Sequence, residues 1–265
     1  MVRSLWSAAT GMNGQQANID VISNNLSNVN TGGFKQQRVE FEDLMYQTVK
    51  LAGTPATEDT VVPVGVQMGA GVKVGATSRI FSQGQLQASG GNSDLAINGE
   101  GFFRVQQYDG TFAYTRDGTF KVDLSGNLVS NNGLRVIPEI TLPQPEATES
   151  TLTISRDGRV SVRLPGNSDT TEIGQLQLFR FPNAMGLEAL GDNLYRVSSA
   201  SGNAIPGRPG FEGMGTTLHK FLEMSNVSVV NEMVQMIVAQ RAYEFNSKAI
   251  QTSDNMLSTA ANLKR

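Results

Sequence analysis

Apolar residues recur every seven positions at both ends of this chain, while glycine punctuates the stretch between too often for any long helix. That division constrains the fold more than any other feature. In the N-terminal segment Leu5, Met12, Ile19 and Leu26 occupy one heptad position, and Ala8, Gln15, Ile22 and Val29 fall three residues after each. This is the a/d spacing of a coiled-coil seam, and only Gln15 breaks its apolar character. In the C-terminal segment Val229, Met236, Tyr243, Ile250 and Leu257 recur every seven residues, while Val234, Phe245 and Met256 recur every eleven on another face. A helix apolar on more than one side needs partners on each.

The spacing predicts a first helix from Ser4, as N-cap, to about Asn28, with Asn30-Thr31-Gly32-Gly33 as its stop. A last helix is predicted from Ser228, as N-cap, to Lys264 and Arg265, with Glu232 in its first turn so that charge complements the helix dipole at both ends. At the usual rise these rods would be about 40 and about 50 Å long. The first is rich in Asn (Asn13, Asn18, Asn24, Asn25, Asn28), a mediocre helix former, so it should not be stable alone. Such helices could pack on the rest of the chain as a lid. Their length, their supercoil-type repeats and the two apolar faces of the second argue instead for association.

Between the helices, residues 46–80 read as irregular, a connector or extended arm broken by Gly53, Pro55, Pro63, Gly65, Gly69, Gly71 and Gly75. From about Gln85 to Phe211 the punctuation becomes regular. Asn98-Gly99, Asp109-Gly110, Asp117-Gly118, Asn132-Gly133 and Asp157-Gly158 are hairpin-type dipeptides. The runs Phe102–Val105, Thr119–Val122, Arg159–Val162 and Gln175–Phe179 between them are β-branched, aromatic or alternating. The expected fold is therefore α+β: long terminal helices forming a coiled coil and a central antiparallel sheet or barrel-like domain. Its parts would be residues 1–32 with 228–265 (helices), 33–84 with 212–227 (arm) and 85–211 (β core). Pro138 to Pro145 would divide the core, and Ile205–Gly210 would lead out of it.

Composition removes several function classes. A net charge of −3, from 21 basic and 24 acidic side chains, offers no basic excess to collect nucleic acid. There is no Cys, so disulfides, thiolate metal sites and cysteine nucleophiles are impossible. Asn13-Gly14-Gln15-Gln16 interrupts the short apolar patch around Leu5 and Trp6 before a signal-peptide core is complete, and no apolar run of membrane-spanning length occurs. No nucleophile elbow, phosphate loop or zinc-ligand spacing is present, and Gly69-x-Gly71 with Gly75 lacks the dinucleotide-binding spacing. His219 is the only histidine and reads as structural. Acidic pairs for glycoside cleavage could be drawn from Asp94, Glu100, Asp109, Asp117 and Asp123, but Asp109 and Asp117 precede turn glycines and Asp123 adjoins the Ser125-Gly126 turn. No catalytic, cofactor-binding or metal-ligating residue is assigned.

One segment carries more. Ser23-Asn24-Asn25-Leu26-Ser27-Asn28-Val29-Asn30-Thr31-Gly32-Gly33-Phe34-Lys35 closely resembles the N-terminal signature of the bacterial flagellar axial proteins of rod and hook. Glu223-Met224-Ser225-Asn226-Val227, Asn231–Val234 and Met236–Lys248, which contains Gln240, Arg241 and Tyr243, resemble its C-terminal counterpart. Ile97–Phe103 and Ala113–Phe120 are similar to the family's core β domain. One departure is Gly32-Gly33, where the family often has Pro before the second Gly. By length, and by the stretch Tyr46 to Gly71, the chain is more similar to the distal rod member than to the longer hook member, with the proximal rod as the nearest competitor.

The resemblance implies a non-enzymatic structural subunit in the flagellar basal body, in the periplasmic space, exported by the flagellar type III apparatus without a cleaved signal peptide. It implies termini disordered in the monomer that fold into a concentric helical tube, forming part of the export channel and transmitting torque from motor to hook. Partners would be further copies of the chain, other rod proteins, the hook protein and the ring bushing around the rod. No cofactor is implied, and no nucleic acid. The expected assembly surface is Leu5, Met12, Ile19, Ile22, Leu26, Val29, Val234, Ile237, Tyr243, Phe245, Ile250, Met256 and Leu257. A reading of another class, a secreted β domain that binds or cleaves carbohydrate such as peptidoglycan, places function in residues 85–211 instead.

Overall fold

The computed structural model describes residues 2–53, 55–57, 60–61, 63–143, 151–164 and 170–262. A helix stands at each end, and the region between is mostly β. The chain divides into two compact units, one of Met1–Ser27, Gln37–Arg79 and Ser228–Arg265, the other of Asn28–Gln36 and Ile80–Val227.

In the first unit helix α1 spans Val2–Ser27 and helix α2 spans Val229–Asn262. Ser4 lies inside α1 and is not its cap; its hydroxyl sits 3.4 Å from that of Ser253 on α2. Ser228 does open α2, its carbonyl accepting the Glu232 N–H at 3.0 Å, the first bond of the helical ladder. The expected end of α2 at Lys264 and Arg265 lies outside the described residues.

The two helices pack on one another, and α1 also packs on two strands of its own unit. Ser4 meets Ser253, Asn25 meets Glu232, and a Cβ at Gly11 would lie 2.8 Å from the Asn246 amide nitrogen. These pairs step in opposite directions along the two rods, so the helices run antiparallel. Gly inside a helix costs about 1 kcal/mol relative to Ala, and at Gly11 the missing Cβ leaves room for the Asn246 side chain of α2.

The described strands between residues 37 and 79 pair as nested antiparallel ladders. Gln37–Asp43 pairs with Val72–Arg79, Tyr46–Lys50 with Val66–Gly69, and Pro55–Thr57 with Thr60–Val61, one pair nested inside the next. The expectation of irregular structure over 46–80 is thereby corrected. Both faces of most of this ribbon meet solvent. Nothing therefore imposes the alternation of apolar and polar residues by which a half-buried strand is recognised.

The second unit is built on a seven-stranded antiparallel sheet. Its strands, in spatial order, are Lys121–Val122, Leu128–Val129, Arg135–Ile137, Phe103–Gln106, Phe112–Thr115, Leu194–Arg196 and Glu188–Gly191. Thr153–Ile154, Arg159–Arg163 and Thr170–Gln175 make a smaller sheet, and Leu95–Asn98 pairs with Thr216–His219. Successive strand residues point to opposite faces, and Phe102-Phe103 shows the consequence. Phe103 enters an aliphatic core with Leu95, Ile97, Val105, Phe120, Val136 and Val160. Phe102 joins an aromatic cluster with Tyr114, Phe179, Phe181 and Tyr195, whose rings meet edge to face at 4.9–6.1 Å.

Three of the turn dipeptides close hairpins: Asp109-Gly110, Asn132-Gly133 and Asp157-Gly158, each glycine at positive φ. The other two do not. Asn98-Gly99 carries the chain from the Thr216–His219 pairing into the seven-stranded sheet, and at Gly118 a Cβ would collide with the Leu95 carbonyl oxygen. Ile205–Gly207 does not lead out of the unit; it pairs with Leu178–Arg180 inside it, with Pro206 opposite Phe179. The division expected over Pro138 to Pro145 falls partly outside the described residues.

Candidate assembly surface

The helix pair distributes its residues in an unusual way. On α2 the positions turned inward are Glu232, Met236, Ala239, Ala242, Asn246, Ile250, Ser253 and Leu257, which follow one another at steps of three or four and are buried or half-buried. Most are small or polar. The large apolar side chains Val230, Met233, Val234, Ile237, Val238, Phe245 and Met256 are exposed, Val230 to 71 % and Phe245 to 66 %. On α1 Leu5, Met12, Ile19 and Leu26 are half-buried and Ile22 is buried, with Trp6 exposed, while Val29, beyond the helix in the second unit, is half-buried.

The expected site residues thus fall into two sets. Leu5, Met12, Ile19, Ile22, Leu26, Ile250 and Leu257 lie on covered faces of the helices. Val234, Ile237, Tyr243, Phe245 and Met256 are exposed, so the eleven-residue stripe Val234, Phe245, Met256 meets solvent throughout. The exposed apolar side chains make this face of α2 the candidate assembly surface.

Polar residues fix the register beneath that surface. The Asn25 amide donates to the Gln37 carbonyl at 2.8 Å and accepts the Gln37 N–H at 2.9 Å, imitating a strand neighbour, and it also donates to the Glu232 carboxylate at 3.3 Å. Glu232 is fully buried in the first turn of α2, where a carboxylate also suits the helix dipole. One polar contact of this kind inside an otherwise slippery helix pair sets register.

The rest of the signature segment lies in the second unit. Gly33 has φ +68°, and a Cβ there would come 2.6 Å from the Asp117 backbone nitrogen, whereas at Gly32 the nearest atom is 3.5 Å away. The position that must be glycine is the one kept, and the one that departs from the family has room. Phe34 is buried, Thr31 donates through its hydroxyl to the Asn28 side chain at 3.1 Å, and Asn24 and Asn30 are exposed, as are Gln240 and Arg241 on α2.

Behind Phe34, Lys35 and Glu223 form an ion pair at 2.6 Å with both side chains fully buried. The Lys35 ammonium also donates to the Ser82 carbonyl at 2.7 Å, and the Gly84 N–H donates to the same Glu223 oxygen at 3.0 Å. Burial pushes the Lys35 ammonium below its ordinary value against the pull of Glu223, and it pulls the Arg116 guanidinium down in the same way. Asn226 completes this junction, accepting the Gln36 N–H at 2.7 Å and donating to the Ile80 carbonyl at 2.8 Å. Lys35, Glu223 and Asn226 received no individual role from sequence. Their signal was present as charged and amide residues at the edges of apolar helices, but a partner at long sequence separation cannot be read from one chain.

Of the acidic residues considered for glycoside chemistry, Asp109 and Asp117 accept the N–H and hydroxyl of Thr111 and Thr119, and Asp123 accepts the N–H of Leu124. They hold turns. His219 Nε2 lies 2.6 Å from the Asn92 carbonyl. Among the described residues no cluster suited to a metal occurs and no helix is long and apolar enough to cross a membrane.

Comparison with known proteins sets the chain in a class. Residues 5–35 match the flagella basal body rod protein profile, 96–162 the D1 domain of flagellar hook protein FlgE/F/G, and 219–263 the C-terminal profile of flagellar basal body rod FlgEFG protein. All three describe axial components of the bacterial flagellum. Over its full length the chain is 55 % identical to the flagellar basal-body rod protein FlgG of Borreliella burgdorferi, covering all of both chains. It is 51 % identical to the protein of that name from Buchnera aphidicola subsp. Schizaphis graminum and 46 % identical to that from Caulobacter vibrioides, covering 99 % of this chain and all of each relative. The chain belongs to the FlgG family of flagellar basal-body rod proteins.

Proposed function

We propose that the chain is a structural subunit of the distal rod, polymerising through its terminal helices into a helical tube that transmits torque from motor to hook and forms part of the export channel. The observation that carries this is the exposed apolar face of α2, Val234 to Met256, on a helix whose opposite side is already occupied by α1. In the tube this face packs against helices of neighbouring copies as a coiled coil, so residues 1–32 and 228–265 make the inner wall and residues 85–211 the outer one. A contact between unlike surfaces whose rotation does not close produces a helical filament.

The same reading assigns other rod proteins and the hook protein as axial neighbours, with the ring bushing around them in the periplasm, and export without a cleaved signal peptide. Catalysis has no place in it. The test is electron microscopy of the purified full-length chain at rising concentration, alone and seeded with isolated basal bodies, beside Ile19→Asp and Ile237→Asp. Filaments from the unsubstituted chain and none from either variant are expected. Globular particles under every condition, or variants that polymerise normally, would overturn the reading.

A further inference from the structure

The side of α1 turned away from α2 is polar. Asn13, Gln16, Asp20, Asn24 and Ser27 are exposed there, at steps of three or four residues that keep them in one stripe. Asp20 is the only carboxylate of α1, and its side chain accepts the Gln16 amide at 3.1 Å. Four turns earlier on the same side stands Trp6, the only tryptophan of the chain, 64 % exposed.

Arg241 is the odd member of the outer face of α2. Val234, Ile237, Val238 and Phe245, all within two turns of it, are apolar and exposed. The guanidinium is exposed too and has no hydrogen bond or ion pair among the described residues, although Glu244 stands three residues away. Assembly that covers this face takes Arg241 out of water with it, at a cost that only a carboxylate arriving with the neighbour offsets. Glu232 is buried and already engaged by Asn25. Glu244 and Asp254 are exposed, but they would set α2 against α2, and a contact between like faces closes on two copies.

Register singles out Asp20. Ser4 with Ser253, Gly11 with Asn246 and Asn25 with Glu232 share one antiparallel alignment, which sets Asp20 level with Ile237. All copies in a helical polymer point the same way along its axis, so α2 of one copy also runs antiparallel to α1 of the next. A slip of four residues, about 6 Å, brings Asp20 opposite Arg241. The same slip brings Trp6 opposite Asn255, beside Met256, which is 49 % exposed, and a thioether against an indole is a favourable contact. Charge and apolar bulk therefore match at one and the same offset.

We infer that the outer face of α2 packs on the outer face of α1 of a second copy of this chain, with Arg241 on Asp20 and Met256 on Trp6. The inference rests on the rod-subunit reading and deepens it: it names what covers the α2 face and fixes the offset between neighbours.

Exchanging the charges tests the pair. Asp20→Arg and Arg241→Glu should each slow filament growth about tenfold or more, with the urea midpoint of the dilute chain unchanged, because both side chains are exposed in a single copy. Asp20→Arg/Arg241→Glu should restore growth to within about threefold of the unsubstituted rate. So should an equimolar mixture of the two single variants, since alternating copies then join opposite charges at every contact. In filaments of the unsubstituted chain the emission of Trp6 should shift to the blue. Single variants that grow normally would overturn the inference, and so would single variants that stay blocked in both the exchange and the mixture, which would give Arg241 another partner. Trp6 emission unmoved by polymerisation would overturn it as well. In each of these cases the filaments of the unsubstituted chain leave the rod-subunit reading standing, whereas their absence, alone and on basal-body seeds, would overturn both.

Discussion

Residues 80–227 and helix α2 treat their apolar side chains in opposite ways. In the β unit Phe103, Leu95 and Ile97 are sealed completely, and every ring of Phe102, Tyr114, Phe179 and Tyr195 meets another ring. On α2 the fully buried positions are Glu232, Ala239 and Ser253, while Ile237 and Phe245 face solvent. The first region holds its stability within one copy. The second keeps much of its apolar surface for contacts that one copy cannot make, and the difference separates a domain from an assembly device.

Substitutions at buried positions of the β unit should have the largest effect on a single copy. Glu223→Gln leaves the Lys35 ammonium and the Arg116 guanidinium buried without their shared carboxylate and should cost about 3–5 kcal/mol in urea unfolding. Phe103→Ala should cost a similar amount, about 3–5 kcal/mol, through the cavity it opens, lowering the urea midpoint with little change in slope. If either left the midpoint in place, the β unit would not be the self-sufficient region described here.

A middle-sized effect is expected at the polar pin of the helix pair. Asn25→Ala removes both bonds to the Gln37 backbone and the donor facing Glu232, at about 1–3 kcal/mol. The loss should emerge as faster amide exchange in α1 and residues 37–43, with the β unit unchanged. Equal acceleration in both units would erase the distinction between them. The smallest effect on the isolated chain should come from Phe245→Ser, within about 0.5 kcal/mol, because the ring is exposed. The same substitution should abolish polymerisation, so a single residue would separate folding from assembly.

Much of this was legible beforehand. Heptad spacing places both helices, and the Asp/Asn-Gly dipeptides at 109, 132 and 157 place three hairpins, because helix faces and tight turns are decided by neighbours in sequence. The ribbon of residues 37–79 was not legible, since a strand pair wet on both faces has no apolar period. Nor were Gly118 and Ile205–Gly207, where the deciding contact is with Leu95 in one case and Leu178–Arg180 in the other, both distant in sequence. The candidate surface was read as a set of apolar positions, but sequence could not divide that set into residues covered by α1 and residues left open. Lys35–Glu223 was hidden for the same reason: its two halves are 188 residues apart.

The claim that the outer face of α2 is what assembly buries can be tested with a thiol placed on it. Ile237→Cys should react quickly with maleimide in dilute chain and at least tenfold more slowly in filaments, while Leu190→Cys, exposed in the β unit, keeps its rate. Equal labelling of the Ile237→Cys thiol in the two states would contradict the account, because the apolar stripe would then remain open in the polymer it is said to build.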